Sequence, residues 1–257
     1  MPSEEEIRTA ARILAASRHA VVLTGAGHST PSGIPDFRSP ASGLWERSDP
    51  MVVASLVGFH RNPRAFYDWI RPLARQMVKA EPNPAHHALA KLEQLRVVKA
   101  VITQNIDQLH QKAGSRRVLE LHGSIRTATC TLCGDQTATD EMWLSFFDSD
   151  ELPRCRSCGA VLKPDVILFG ELLPEAVLLE ALSEAEQCDA MLVAGSSLEV
   201  YPAADLPARA VGNGAKLIIV NYEPTHMDSR AQVVLHEDVA MALPQIAERI
   251  AINEPTQ

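Results

Sequence analysis

The stretch VVKAVITQNIDQLH, residues 97–110, joins an apolar run to a cluster of polar side chains. Residues 97–102 have the continuous Val/Ile pattern of a parallel strand that is buried on both faces. Gln104, Asn105 and Asp107 then follow within a few residues. In open α/β sheets, ligands bind at the carboxyl ends of the strands. The stretch therefore predicts a parallel sheet whose edge carries a ligand site.

The same alternation of apolar runs and amphipathic segments continues along the chain. Other strand-like runs are HAVVLTGAG (19–27), RVLELHGS (117–124), KPDVILFGE (163–171), DAMLVAGSS (189–197), KLIIVN (216–221) and AQVVL (231–235). Helical spacing of apolar residues predicts helices over 4–17, 84–95, 174–188, 203–211 and 239–251. Strands that alternate with helices indicate an α/β fold with a doubly wound parallel sheet.

Two segments between these elements are less regular. Residues 29–50 are rich in proline and serine and predict a long irregular loop. Residues 51–79 have a helical pattern that Pro63 and Pro72 are expected to break.

Four of the five cysteines form two C-x-x-C pairs, Cys130 with Cys133 and Cys155 with Cys158. Matched pairs of this kind are typical of a tetrahedral Cys₄ zinc site, which has no open position for catalysis. We therefore predict one structural zinc ion in an inserted module over 126–160. The fifth, Cys188, ends an apolar helix and is expected in the core.

A glycine turn, Gly25-x-Gly27, follows the strand at 19–24. Glycine there lets backbone N–H groups approach a phosphate, although many tight turns have the same pattern. The spacing to Gly33 does not match G-x-G-x-x-G, which disfavours a hydride-transferring dehydrogenase. Arg38 is a candidate bidentate partner for a pyrophosphate.

His122 ends another strand-like run, just before Gly123. A lone histidine is often a structural residue, but two other polar strand ends would lie near it in a doubly wound sheet. An imidazole also suits general-base catalysis at neutral pH. Both a catalytic and a packing role are therefore open from the pattern alone.

Composition excludes several classes of protein. The chain has 257 residues, 46% of them hydrophobic, and a formal net charge of −8. The acidic balance argues against a general nucleic-acid binder, and no apolar run is long enough for a membrane span. The acidic start MPSEEEIRTAARIL is unlike a signal or transit peptide, so we expect a cytoplasmic protein.

In their order along the chain, these motifs together resemble the sirtuin family of NAD-dependent protein deacylases. The resemblance covers about residues 20–245 and rests on GAGHSTPSGIPDFR (25–38), TQNIDQLH (103–110), LHGS (121–124), the cysteine pairs, KPDVILFGE (163–171), GSSLEVYP (195–202) and IVN (219–221). It implies a Rossmann-like NAD-binding domain of residues 1–35, 80–125 and 161–257. Residues 36–79 and 126–160 would form the smaller domain, with a helical part and the zinc module.

The resemblance also implies roles for individual residues. His122 would be the general base, and Asn105, Ile106 and Asp107 would form the nicotinamide pocket. The other residues implied to contact NAD are Gly25, Ala26, Gly27, Asp36, Phe37, Arg38, Gln104, Gly195, Ser196, Ser197 and Asn221. The products would be nicotinamide, O-acyl-ADP-ribose and free lysine.

The implied partners are acyl-lysine peptides or proteins. Phe37, Ile167 and Phe169 would line an apolar tunnel for the acyl-lysine side chain. The residues implied to hold the peptide main chain as an added strand are Gly170, Glu171, Leu198 and Val200.

Two departures from the family pattern affect these expectations. His28 stands where the family has an aliphatic residue. Desuccinylating relatives carry a Tyr-x-x-Arg pair at the positions that we assign to Ile70 and Leu73, so a neutral acyl group is expected here. Arg71 is the nearby cation that could reverse this choice.

The sequence leaves two other functions open. An NAD hydrolase or ADP-ribosyltransferase is disfavoured by the complete zinc insert and the peptide-holding motifs. A non-catalytic NAD or ADP-ribose binding module is disfavoured by the presence of both His122 and Asn105.

Overall fold

The strands form two separate sheets in the computed structural model, which describes residues 3–36 and 49–253. Phe37 and Arg38 lie outside the described residues. The strands are β1 (Ala20–Thr24), β2 (Val98–Thr103), β3 (Val118–Glu120), β4 (Gly123–Cys130), β5 (Gln136–Ala138), β6 (Leu162–Val166), β7 (Ala190–Ala194), β8 (Lys216–Val220) and β9 (Val233–Leu235).

The larger sheet is parallel throughout and has the strand order β3-β2-β1-β7-β8-β9. From β1 the chain adds β2 and then β3 on one side. It later returns to the other side of β1 and adds β7, β8 and β9 in turn. This reversal leaves a crevice at the carboxyl ends of β1 and β7, where open α/β sheets bind ligands. The prediction of a doubly wound parallel sheet is confirmed.

The register of the sheet brings the polar strand ends together. Thr24, the last residue of β1, is paired with Thr103 of β2 and with Ala194 of β7. Thr103 is in turn paired with Glu120 at the end of β3. The residues that follow these strands therefore emerge at one edge, which explains why distant segments of the sequence can build one site.

Helices cover both faces of this sheet. The helices are α1 (Glu4–Ala15), α2 (Pro50–Val53), α3 (Leu56–Arg61), α4 (Pro63–Lys79), α5 (Pro84–Gln94), α6 (Leu109–Ala113), α7 (Asp140–Ser149), α8 (Glu175–Gln187), α9 (Leu206–Gly212) and α10 (Val239–Asn253). Side chains of α1, α5 and α10 form one buried apolar cluster with the sheet. Side chains of α8 and α9 form a second cluster with the sheet, and it includes Cys188 as expected.

The smaller sheet is antiparallel, with the order β5-β4-β6. It contains the cysteine segment and lies beside a third apolar cluster, built largely by α3, α4 and α7. The apolar run at 163–171 is a strand only as far as Val166. Beyond it, the Phe169 N–H donates to the Ala54 carbonyl at 2.9 Å, so the chain leaves the sheet to contact the helical region.

The expectation that Pro72 breaks a helix is wrong, whereas the break before Pro63 is confirmed. Pro63 occupies the first position of α4, where its missing N–H costs nothing. Pro72 lies inside the same 17-residue helix on its exposed side. The opposite face buries Phe66, Tyr67 and other apolar side chains. Burial of that face offsets the hydrogen bond that Pro72 removes.

Among the described residues, no helix has the length and apolar content needed to cross a membrane.

Candidate functional site

Asn105 is held at the edge of the sheet by three hydrogen bonds. Its backbone N–H donates to Thr103 Oγ1 at 3.1 Å. Its side-chain amide donates to the Gly25 carbonyl at 2.9 Å and to Ser29 Oγ at 3.0 Å. The Asn105 amide therefore links the turn after β2 to the turn after β1, at the crevice between the strand ends.

Asp107 is a buried carboxylate, 3% exposed, in the same turn. It accepts from Ser29 Oγ at 2.6 Å and from the Leu109 N–H at 2.9 Å. Burial raises the pKa of Asp107, and these hydrogen bonds oppose that rise. Each carboxylate oxygen has a further lone pair, so Asp107 can still accept from an amide donor.

His122 connects the large sheet to the small one. It lies between β3 and β4, and its Nδ1 is 3.0 Å from the Gln104 carbonyl. A carbonyl only accepts, so the neutral ring carries its proton on Nδ1 and keeps Nε2 as the basic nitrogen. The half-buried ring lines a cavity together with Asn105 and Asp107. This arrangement suits a general base better than a packing residue.

Gly123 lets the chain turn just after this histidine. Its φ is +73°, and a Cβ there would lie 2.0 Å from the Asp165 carbonyl oxygen. The neighbouring strand β6 therefore approaches too closely for any side chain. The glycine sets the direction in which His122 leaves β3.

The glycines after β1 and β7 are required by close packing of the two turns. A Cβ on Gly25 would lie 2.9 Å from the Gly195 carbonyl oxygen, and one on Gly27 would lie 3.0 Å from it. Gly195 has φ +66°, and its Cβ would be 2.2 Å from the His28 nitrogen. The glycine pattern thus brings two backbone turns together at the crevice, whether or not a phosphate is bound.

Other residues implied to contact NAD lie around this crevice. Gln104 donates from Nε2 to Ser196 Oγ at 2.9 Å, which links the ends of β2 and β7. Asn221 follows β8 and donates to the Glu223 carbonyl at 2.7 Å. Asp36 is half-buried and Ser197 is exposed.

A cavity of about 340 Å³ opens beside these polar groups. This volume is in the range of small-molecule pockets, roughly 300–1,000 Å³. The implied site residues that line it are Ala26, Gln104, Asn105, Ile106, Asp107, His122, Ile167, Phe169, Gly170, Glu171 and Val200. Leu198 is instead buried in the apolar cluster under α8 and α9.

The far wall of the cavity is apolar and comes largely from one face of α4. Phe66, Ile70, Leu73 and Met77 line it, at the spacing of a single helical face. Only Ile70 and Leu73 were expected near the acyl group. The same periodicity in residues 66–77 is the signal that identifies Phe66 and Met77.

Arg71 points away from this wall. It forms an ion pair with Asp150, and its guanidinium carbon lies 4.2 Å from the centre of the Phe146 ring. These contacts hold the Arg71 guanidinium in the helical region, away from the cavity.

Ser29 is a polar lining residue that the sequence did not indicate. It is the hydrogen-bond partner of both Asn105 and Asp107.

Residues 169–171, at the mouth of the cavity, make hydrogen bonds and an ion pair with other parts of the chain. Phe169 accepts from the Leu56 N–H at 3.0 Å, and its side chain is 41% exposed. Glu171 accepts from the Leu168 N–H and is paired with Lys163 Nζ at 3.0 Å. Gly170 has φ +88°, so the chain turns at the mouth of the cavity.

The four paired cysteines converge at the end of the small sheet. The Sγ atoms of Cys130 and Cys158 are 3.4 Å apart, and those of Cys133 and Cys155 are 3.6 Å apart. Tetrahedral zinc with Zn–S bonds of about 2.3 Å places its sulfurs about 3.8 Å apart. The four thiols therefore fit one zinc ion with little movement, as predicted.

Both cysteine turns have the same construction. Each pair is followed by a glycine, Gly134 or Gly159, with φ of +78° or +75°. The Gly134 N–H donates to the Cys130 carbonyl at 3.1 Å, and the Gly159 N–H donates to the Cys155 carbonyl at 2.9 Å. C-x-x-C-G, twice in the sequence, is thus a stronger metal signal than the cysteines alone.

Comparison with known proteins identifies the family. The model of the Sir2 family matches residues 25–202. The NAD-dependent protein deacylase 2 of Archaeoglobus fulgidus is 54% identical over 248 residues, which are 96% of this chain and 97% of that protein.

Two solved structures have the same fold. One, described as "Structural Basis for the Mechanism and Regulation of Sir2 Enzymes", has a TM-score of 0.90 at 53% identity and covers 98% of this chain and 100% of its own. The other is the structure of Sir2Af2 bound to a myristoylated histone peptide. It has a TM-score of 0.83 at 49% identity, and the match covers 97% of this chain and 98% of that chain. The match of the family model and the identity over nearly the whole chain show that this protein belongs to the Sir2 family.

Proposed function

We propose that this chain is an NAD-dependent protein lysine deacylase, which yields nicotinamide, O-acyl-ADP-ribose and the free lysine. One observation carries the proposal: a single cavity joins Asn105, Asp107 and His122 to the apolar face of α4. The polar end suits a nicotinamide and a ribose, and the apolar end suits an acyl chain. The named relative is an NAD-dependent deacylase, which supports the same activity here.

Each part of the site has a role in this proposal. NAD supplies an electrophilic ribose carbon once its bond to nicotinamide breaks. Asn105, Ile106 and Asp107 hold the carboxamide, and His122 Nε2 accepts a proton from a ribose hydroxyl. The turns at Gly25–Gly27 and Gly195–Ser197, with Asp36, Gln104 and Asn221, hold the rest of NAD. Phe37 and Arg38 stay predictions, because they lie outside the described residues.

The remaining assignments complete the proposal. The large sheet and its helices are the NAD-binding domain, and residues 36–79 and 126–160 are the smaller domain with one structural zinc. The peptide main chain runs past Gly170, Glu171 and Val200, with its acyl-lysine between Ile167 and Phe169. The paired thiols suit a reducing compartment, so we propose a cytoplasmic location.

The first test is whether nicotinamide release depends on an acyl-lysine. Purified protein is incubated with NAD alone, with NAD and an acetyl-lysine peptide, and with NAD and the unmodified peptide. We expect release only with the acylated peptide. Equal release in all three mixtures would indicate an NAD hydrolase, and no release in any would indicate a binding module.

Neutral acyl groups should be preferred over succinyl. Ile70 and Leu73 line the cavity, and Arg71 is paired with Asp150. A succinyl carboxylate buried there without a partner costs several kcal/mol. We expect kcat/KM for acetyl and longer neutral acyl peptides to exceed that for the succinyl peptide by at least about a hundredfold. Faster desuccinylation would show that a cation reaches the cavity.

A larger side chain at the apolar end of the cavity should restrict the enzyme to shorter acyl groups. Sir2Af2 was solved with a myristoylated histone peptide. The apolar wall that α4 gives the cavity here suits a long neutral acyl chain. Ile70→Phe should lower kcat/KM for a myristoyl peptide more than for an acetyl peptide. Val78→Phe, on the exposed side of the same helix, is the matched control and should leave this ratio unchanged. An unchanged ratio in Ile70→Phe would place the acyl chain elsewhere.

Asp107→Asn should weaken the response to nicotinamide while it preserves the fold. The asparagine oxygen can still accept from the Leu109 N–H, and Ser29 Oγ can rotate to accept from the new amide. A hydrogen bond to a charged group contributes about 1.5–3 kcal/mol, so we expect roughly a ten- to hundredfold weaker nicotinamide inhibition. Asp68→Asn, an exposed change on α4, is the control. Unchanged inhibition in Asp107→Asn would remove this residue from the nicotinamide pocket.

A further inference from the structure

Three histidines from distant parts of the sequence meet beneath the loop that follows β1. His28 and His86 are 0% exposed, and His110 is 1% exposed. The ring centroid of His28 lies 4.5 Å from that of His86 and 4.9 Å from that of His110. His86 and His110 are 4.8 Å apart by the same measure. Three buried imidazoles packed against one another form an unusual interior for a protein core.

Each ring has a nitrogen atom for which the described residues provide no hydrogen-bond partner. These atoms are both nitrogens of His28, Nε2 of His86 and Nδ1 of His110. One ring nitrogen of each histidine lies within 4.8 Å of one ring nitrogen of each of the others. A buried polar atom without a partner costs free energy, so nitrogens without partners on three adjacent rings suggest a shared ligand.

The second ring nitrogen of His110 and that of His86 each have a hydrogen-bond partner. His110 Nε2 is 2.9 Å from Thr24 Oγ1, whose own hydrogen goes to Thr103 Oγ1 at 2.8 Å. His110 therefore donates through Nε2 and keeps a lone pair on Nδ1, which has no partner among the described residues. A metal-binding histidine commonly has this arrangement, in which the second nitrogen donates to an oxygen.

His86 is oriented by the end of α5. Its Nδ1 accepts from the Asn83 N–H at 3.3 Å, so its proton lies on Nε2 when no ion is bound. Ligation through Nε2 needs that proton to leave or to move to Nδ1, at the expense of this long hydrogen bond. His28 and His110 therefore supply the two prepared nitrogens, and His86 becomes the third ligand when an ion enters.

Burial keeps all three rings neutral. It lowers the pKa of His86 to about 2 and that of His110 to about 3, and it lowers the pKa of His28 well below its usual value. Neutral imidazole is the form that binds metal ions. At neutral pH the cluster thus offers uncharged nitrogen ligands.

We propose that His28, His86 and His110 form a second metal site, distinct from the four cysteines, for a borderline divalent ion such as Zn²⁺, Co²⁺ or Ni²⁺. Three histidines with an open fourth position are an established ligand set for zinc. Metal–nitrogen bonds of about 2.0–2.1 Å place the nitrogens of a tetrahedral site about 3.3 Å apart. Binding would require the rings to turn so that the nitrogen separations, now up to 4.8 Å, fall toward this value.

The place of the cluster connects it to the nicotinamide end of the cavity. The residue after His28 is Ser29, which is bonded to both Asn105 and Asp107. The His28 carbonyl accepts from Asn83 Nδ2 at 2.9 Å. A bound ion would therefore fix the loop at 26–33 to α5 and α6, directly below the residues that hold the carboxamide.

The test uses tag-free protein that already carries one zinc per chain, so that the cysteines are filled. The protein is dialysed to equilibrium against Co²⁺, and bound zinc and cobalt are measured together with the absorption spectrum. We expect one cobalt per chain in addition to the zinc. Its spectrum should show ligand-field bands without the thiolate charge-transfer absorption that cobalt has among cysteines.

Variants assign the ion to this cluster. His28→Leu should lose the second ion and keep the zinc, and His110→Gln should do the same if leucine disturbs the loop. His87→Ala removes the exposed histidine next to His86 on α5 and should keep both ions. The proposal is overturned if native protein takes up no cobalt beyond the zinc site, or if folded His28→Leu and His110→Gln bind as much as native protein.

Discussion

Replacing His122 by alanine is expected to abolish net deacylation and to leave the fold intact. The ring has its Nδ1 bound to the Gln104 carbonyl, which keeps Nε2 as the base at the cavity. Removal of a general base lowers the rate by roughly 10²–10⁴-fold. The main chain keeps its contact, because the His122 carbonyl still accepts from the Ile167 N–H at 2.9 Å.

The matched control for this variant is His19→Ala. His19 lies at the opposite, amino end of the sheet and is 2.7 Å from Glu184. Replacing His19 should lower the thermal stability and leave kcat/KM unchanged. His122→Ala should instead lower kcat/KM and leave the thermal stability unchanged. Steady-state rates, zinc content and a thermal melt are measured for both. A well-folded His122→Ala protein with near-native kcat/KM would show that this histidine only packs.

Removing one zinc ligand is expected to have the largest effect on stability. Cys130→Ala leaves three thiols where a closed tetrahedral site needs four. Structural zinc contributes about 10–16 kcal/mol in small zinc-folded peptides, so its loss should unfold the cysteine module. We expect zinc to fall from one per chain to near none, and amide exchange within 126–160 to rise sharply.

Cys188→Ala is the control for the loss of a thiol as such. Cys188 is buried in the core and donates to the Ala185 carbonyl at 3.3 Å. Its replacement should retain one zinc and cost only the small destabilisation of a trimmed core side chain. Native protein with well under one zinc per chain, or a Cys130→Ala protein that keeps its zinc, would contradict the assignment.

Much of the site could be predicted because strand ends are visible in the sequence. The run at 97–102 ends where Gln104 and Asn105 begin, and the register of the sheet aligns that end with those of β1 and β7. Hydrophobic patterning specifies where a parallel strand stops. The fold class and the edge that carries the site both follow from it.

Other features depend on packing that no local pattern reveals. Pro72 is accommodated inside α4 because the opposite face of the helix is buried. The strict need for Gly25 and Gly195 comes from a contact between two turns that are far apart in sequence. The histidine cluster arises in the same way, since the loop after β1, α5 and α6 bring His28, His86 and His110 together only after folding.

The most direct test of the central proposal is the identity and amount of the products in one reaction. An acetyl-lysine peptide and NAD are incubated with the enzyme, and nicotinamide, deacetylated peptide and the acetyl-carrying product are measured by mass spectrometry during the initial rate. We predict that nicotinamide, free-lysine peptide and O-acetyl-ADP-ribose appear in equal amounts. Free acetate and ADP-ribose from the first time point, or nicotinamide without deacetylated peptide, would contradict acyl transfer to ADP-ribose.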